Sequence, residues 1–118
     1  MKIFFLDDNM ERHTSFRKCF PNANITFVKT AQEAIEILTK DLNYDLITLD
    51  HDLGDRIFVD SNDENTGYQV AKFLKDKDIK CQIIIHSCNP GGAKNMMSLL
   101  PQADYMPVFW LNPLIKIK

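Results

Sequence analysis

Three cysteines in 118 residues, Cys19, Cys81 and Cys88, are odd in number and form no C-x-x-C pair. This argues against a disulfide framework and against a structural zinc site, and points to reduced thiols in a cytoplasmic protein. No apolar run approaches the length of a membrane span, and the four apolar residues between Lys2 and Asp7 are too few for a signal-peptide core. A single-sign charge excess is also missing. With a net charge of −2 the chain has no general attraction to nucleic acid or to anionic membranes, so a bound nucleotide needs a local site. The sequence carries no repeat, low-complexity tract or linker. At this length, with 45% hydrophobic and 25% charged residues, residues 1–118 form one compact domain with one core.

What the chain does have is two acidic clusters, each directly after a short apolar run. Asp7-Asp8 follows Ile3-Phe4-Phe5-Leu6, and Asp50-His51-Asp52 follows Leu46-Ile47-Thr48-Leu49. Both clusters stand where a buried strand emerges, and ligands of open parallel α/β sheets bind just outside the carboxyl ends of the strands. Carboxylates converging in a partly desolvated crevice repel one another unless a cation neutralises them, and hard divalent ions take such oxygen ligands. Asp7, Asp8, Asp50 and Asp52 are therefore candidate ligands of a divalent metal, magnesium or manganese.

Strand and helix patterns alternate along the chain. Residues 2–6 read as a strand and 10–20 as a helix with His13, Phe16 and Phe20 on its apolar side. A second strand covers 24–28. Thr30-Ala31-Gln32-Glu33 is a capping box opening a helix with Ala31, Ala34, Ile35 and Leu38 in one stripe. A third strand covers 45–49, and a third helix begins near Gly67. The β-branched run 81–85 suits a central strand covered on both faces and ends at His86-Ser87. Asn89-Pro90 then supplies a cap and a first-turn proline for a fourth helix. Residues 103–110 read as the last strand, and the tail after Asn112-Pro113 is too short for a full final helix. Such alternation implies right-handed crossovers and a three-layer α/β fold, a five-stranded parallel sheet with helices on both faces.

In this order of elements the chain resembles receiver domains, the flavodoxin-like phosphoacceptor modules of two-component signalling. Asp7-Asp8 matches their acidic pair, Asp50 the phosphoacceptor, Thr66-Gly67 the turn into the third helix and Ser87 the hydroxyl residue after the fourth strand. Three departures stand out. Tyr105-Met106-Pro107-Val108 places no lysine after the last strand; the polar segment from Asp55 to Asn65 lengthens the connection after the third strand and reads as an exposed loop; and His51 and His86 are added. Together with His86-Ser87-Cys88-Asn89-Pro90, these features are similar to the cyclic-phosphate processing receiver domains. That resemblance implies action on cyclic phosphates of nucleotides or RNA ends, and it carries over to Asp7, Asp8, Asp50, His51, Asp52, His86, Ser87 and Asn89.

The residues allow that chemistry independently. Opening a cyclic phosphodiester needs a base for water, an acid for the leaving oxygen and positive charge or donors on the phosphoryl oxygens. His51 and His86 are candidates for the acid and base roles, with Asp50 the third catalytic candidate; alternatively a cation held by the aspartates activates the water. Ser87, Asn89, Gly91, Gly92 and Lys94 are candidates for holding phosphate at the amino terminus of the fourth helix. Each residue also has a structural reading: a helix cap for Asp7-Asp8 with Glu11, a core imidazole for His86, a local loop bond for Ser87 and a turn for Asp52. A non-enzymatic receiver that binds a partner, and a receptor that holds a nucleotide without cleaving it, remain alternatives to the phosphoesterase. Phe109-Trp110-Leu111 is the candidate for an exposed surface through which two copies pair.

Overall fold

The computed structural model describes residues 1–112. Strands β1 (Lys2–Leu6), β2 (Asn24–Val28), β3 (Leu46–Leu49), β4 (Gln82–Ile85) and β5 (Asp104–Tyr105) form one parallel sheet in the order β2-β1-β3-β4-β5. Between them run α1 (Met10–Cys19), α2 (Ala31–Lys40), α3 (Gly67–Leu74) and α4 (Pro90–Leu99), and a single 3-10 turn, η1 (Phe109–Leu111), follows β5.

Alternation along the strands divides the core between the two sheet faces, because successive side chains point to opposite sides. Phe4, Leu6, Ile47, Leu49, Ile83 and Ile85 pack toward α2, α3 and α4. Ile3, Phe5, Leu46 and Ile84 pack with Phe16 of α1 and with Phe109 and Trp110 of η1. Burying such side chains is worth about 1.5–3 kcal/mol each, which is why the near-continuous apolar runs settle in the sheet centre.

The caps follow from local chemistry. Asn9, and neither Asp7 nor Asp8, caps α1 by accepting from the Arg12 N–H. Thr30 accepts from the Glu33 N–H at 3.2 Å, while the Glu33 carboxylate reaches the N–H of Lys29, one residue before the cap. Asn89 caps α4 through the Gly92 N–H at 3.0 Å, with Pro90 in the first turn.

Several sequence readings change, the third strand among them, which begins at Leu46. The last strand is Asp104–Tyr105 and not 103–110: Met106 and Val108 still donate their N–H groups to Ile85 O and His86 O, but Val108, with φ 36°, turns the chain out of extended conformation into η1. The fourth strand begins at Gln82, and α1 ends at Cys19. Phe109 and Trp110 are buried, so they are not an exposed pairing surface; Leu111 alone of the three is exposed. Trp110 packs edge-on to Phe5, Phe16 and His86, and its indole N–H donates to Ser15 Oγ at 2.8 Å. The short η1 thus covers the sheet face beside α1. The expectation about a final helix concerns residues 113–118, outside the described residues.

Trp110→Ala is expected to cost roughly 3–5 kcal/mol, since it empties a packed aromatic cluster. Urea unfolding of the variant checks this, and a loss below about 1 kcal/mol would return Trp110 to the surface.

Candidate functional site

Asp7, Asp50 and His86 each follow directly on a strand, and each is fixed by one more rung of the ladder. Asp7 donates its backbone N–H to Val28 O at 2.9 Å, Asp50 to Leu6 O at 3.0 Å and His86 to Leu49 O at 2.9 Å. All three side chains are buried, with ligand-capable atoms within 4.8 Å of one another. Gly67 permits the next element to close over them. A Cβ there would stand 1.7 Å from the Asp50 carbonyl oxygen, so α3 can start against Asp50 only with glycine.

His86 continues the β4 alternation onto the α1 face, where its ring stacks on Phe5 at a centroid distance of 5.0 Å. Both ring nitrogens are engaged: Nδ1 lies 2.7 Å from Thr48 Oγ1 and Nε2 lies 2.9 Å from Asp7 Oδ2. His86 is therefore a buried orienting group for Asp7 and does not itself face the cleft. Arg12, in the first turn of α1, places Nε 3.1 Å from Asp7 Oδ2 and Nη2 3.7 Å from Asp50 Oδ2. The Arg12 Nε and Asp50 Oδ2 atoms are nevertheless buried without a hydrogen-bond partner, the first because its approach to Asp7 is misaligned.

Burial pushes the Asp50 carboxyl up to about 6; His86, Arg12 and the His51 N–H oppose the shift and Asp7 adds to it. For Asp7, burial also acts upward, but it is outweighed by the hydrogen bond and charge of His86, the Asn9 N–H and Arg12, so its carboxyl lies below the usual value. The two carboxylates are thus driven apart, one held as an anion and the other disposed to keep a proton.

A second set of side chains gathers around His51. The ring is fully buried, with Nδ1 2.7 Å from Asp52 Oδ1 and Nε2 2.9 Å from Ser61 Oγ. Asp52 also accepts from the N–H groups of Phe58 and Val59 and from Asn89 Nδ2 at 3.0 Å. These bonds hold its carboxylate low against the opposing effect of burial. Asp8 lies outside the Asp7–Asp50–His86 group: its carboxylate accepts from the Asp55 N–H and borders a separate cavity with Asn9, Lys29 and Gly54. Asp52, turned to His51 and Asn89, is likewise outside that group.

The connection after β3 is exposed, as its polarity suggests, but it folds back over the site. Asp55, Phe58, Val59 and Ser61 all bond to the acidic or histidine residues just named, and Arg56 pairs with Asp63. Beneath it lies a cleft of about 130 Å³ lined by Arg12, Asp50, Asp52, Arg56, Ser87 and Asn89, among others. Ser87 Oγ accepts from the Asn89 N–H at 3.0 Å, which leaves its hydroxyl hydrogen to donate. Gly91 and Gly92 border a different cavity beside this one, and Lys94 is exposed on α4. Arg12, Thr48, Arg56 and Ser61 were not singled out from sequence. Thr48 had a signal, a lone hydroxyl in an apolar strand; the other three depend on how α1 and the loop fold over the strand ends.

An open parallel sheet with this strand order and an aspartate buried at the end of its central strand defines the receiver class. Residues 1–102 match the cyclic-phosphate processing receiver domain, and the chain belongs to that family. Solved structures agree on the fold. A CheY-like response regulator receiver domain from Methylobacillus flagellatus superposes with a TM-score of 0.67 at 15% identity, covering 97% of this chain and 94% of that one. The amino-terminal domain of a response regulator, sensory box and GGDEF protein from Carboxydothermus hydrogenoformans gives 0.67 at 17%, covering 92% and 82%. The Mn(2+)-bound form of response regulator Rcp1 gives 0.64 at 12%, covering 99% and 98%. No curated protein matches the sequence.

The raised Asp50 carboxyl has a consequence for stability. Between its ordinary value of 3.8 and about 6, the native state holds a proton that the unfolded chain has released. Stability therefore falls as pH rises through that window, by on the order of 2–3 kcal/mol. Asp50→Asn is expected to be more stable than wild type at about pH 7.5, with the gain gone by about pH 4. Denaturation midpoints across pH check this; a gain that does not shrink toward low pH would contradict it.

Proposed function

We propose that this receiver is a phosphoesterase that opens cyclic phosphate linkages of nucleotides or RNA ends. The observation that carries the reading is a pair of buried atoms at the cleft without a hydrogen-bond partner, an Asp50 oxygen and the Arg12 Nε, the latter in ion-pair contact with Asp7. Buried polar groups are nearly always satisfied, so an unmet acceptor and donor side by side mark a place for a ligand. Arg12 supplies guanidinium charge to a phosphoryl group, with Arg56, paired with Asp63, beside it, and the Ser87 hydroxyl adds a donor. A ring-opened phosphate gains negative charge relative to the cyclic diester, so these cationic groups favour the product side of the step.

The donor set also suits a divalent cation. Asp7 and Asp50 would hold it, and the unpartnered Asp50 oxygen is an acceptor of the hard type such ions take. When bound, it would polarise a phosphoryl oxygen. His86 holds Asp7 in place from behind, and its bonds to Thr48 and Asp7 make it a positioning residue rather than the acid or base that its sequence position suggests.

The test is hydrolysis of cyclic mononucleotides, cyclic dinucleotides and cyclic-phosphate RNA ends, with and without magnesium or manganese. Arg12→Gln is expected to lower kcat/KM by about 10²-fold or more in a folded protein, because it removes charge from the phosphoryl site. No turnover of any of these by wild type would sink the proposal.

One observation favours a second reading, a signalling receiver without catalysis: Asp50 occupies the buried position at the end of β3 where receivers accept phosphate. The lysine usual after the last strand is replaced, however. Met106 donates its backbone N–H to Ile85 O and packs against the aromatic cluster. An acyl phosphate on Asp50 would thus have no lysine there to couple its formation to a conformational change. Beryllofluoride is expected to leave the amide spectrum outside the cleft and the oligomeric state unchanged; a large saturable shift would restore the switch.

A further inference from the structure

Ser61 of the loop over the site completes a second constellation, which shares Asp52 with the cleft. Ser61 Oγ, His51 Nε2, His51 Nδ1 and Asp52 Oδ1 stand in line, with spacings of 2.9 Å between hydroxyl and ring and 2.7 Å between ring and carboxylate. For the neutral imidazole, the partners assign the proton positions. The Asp52 carboxylate can only accept, so Nδ1 carries the hydrogen and Nε2 presents its lone pair to the Ser61 hydroxyl. Asn95 Nδ2 donates to the same Ser61 oxygen at 2.9 Å, which leaves the serine hydrogen directed at His51.

The imidazole is held more tightly than a loop tether requires. It is fully buried, and Gly92 lies flat against it: a Cβ at that position would come within 2.4 Å of the ring. Asn89 binds Asp52 with its amide nitrogen while capping α4 with its oxygen, so the helix and the carboxylate are aligned by one side chain. With both nitrogens occupied, His51 meets one cavity through Ser61 and the Asp50 cleft through Asp52. That serine lines a cavity of about 460 Å³, bordered also by Asp60 and Tyr68, that runs along the ten-residue α4 from Gly91 and Gly92 in its first turn to Ser98. The positive end of the helix and its glycine-lined first turn suit a phosphoryl group rather than an uncharged carbonyl.

We propose that Ser61 is a nucleophile, activated by His51 and Asp52, that attacks phosphorus in a phosphoester bound at the start of α4. The substrate class rests on the phosphoesterase reading above; the nucleophile does not. As Ser61 Oγ bonds to phosphorus, its proton passes to His51 Nε2, the ring P–O bond breaks and the departing oxygen takes that proton. A water then attacks the serine diester, giving its proton to His51; the P–O bond to Ser61 breaks and the serine recovers the proton. The net change is addition of one water to the cyclic phosphate.

A fluorophosphonate tests this without knowledge of the natural substrate, since Ser61 attack forms the same O–P bond with loss of fluoride. Incubation of the full chain followed by peptide mass spectrometry is expected to show Ser61 modified at least about 10²-fold faster than Ser98, which borders the same cavity without a histidine partner. In His51→Gln the Ser61 rate is expected to fall to that of Ser98. Equal rates at the two serines in the wild-type protein would overturn the proposal whatever the variant does. Cyclic-phosphate hydrolysis at the wild-type rate in Ser61→Ala would overturn it as well, while leaving the cleft reading standing. Selective Ser61 labelling without hydrolysis of any cyclic phosphate would uphold the nucleophile and sink the cleft reading.

Discussion

Two carboxylates and an imidazole buried within 4.8 Å of one another are the constraint around which the rest of the structure is arranged. Isolated charges in such a place would be driven neutral. Here His86 engages Asp7, Thr48 engages the far side of His86, and Arg12 stands between Asp7 and Asp50. That set satisfies Asp7 but leaves one oxygen of Asp50 unmet, so burial, with the charge of Asp7 beside it, prevails over His86 and Arg12 and raises the Asp50 pKa. The residue that receivers use as their reactive carboxylate is thus the least satisfied buried group of the cluster.

The same constraint reaches the backbone. Parallel strands end in register, so their next residues continue the ladder and bring Asp7, Asp50 and His86 to one level of the sheet. Closing the site from above requires two helices to approach without side chains, and glycine occurs where each does so: Gly67 against Asp50 and Gly92 against His51. The first dictates where α3 begins, and the second presses α4 onto the imidazole. Added Cβ atoms at these positions would force apart the contacts that keep the carboxylate and the ring in place, so the glycines serve the site more than the chain's flexibility.

Much of this was legible in the sequence, and the reason is periodicity. Apolar runs of four to five residues followed at once by Asp or His gave the strand ends, and the caps at Thr30 and Asn89 gave the helices between them. What could not be read was direction at short range. Whether Asp8 or His86 joins Asp7 depends on the strand alternation at its last residue, and the fold turns Asp8 outward to the Asp55 N–H while His86 turns inward to Asp7. The last strand misled because Phe109 and Trp110 have strand-like composition. They are used for packing after Val108 has turned the chain away from β4.

The loop from Asp55 to Asn65 shows the limit most clearly. By composition it is solvated chain, and its exposure agrees with that. Yet a polar loop over a buried acid needs hydrogen-bond partners for its turns, and Asp8 and Asp52 meet that need with acceptors while His51 receives Ser61. The acidic residues that do not join the central cluster are the ones that anchor the loop. Division of labour among the four aspartates therefore follows from which side of each strand end they occupy: Asp7 and Asp50 face the cluster, whereas Asp8 and Asp52 tie down the segment that covers it. That segment in turn sets Ser61 against Nε2 of His51, the ring nitrogen that Asp52 does not engage.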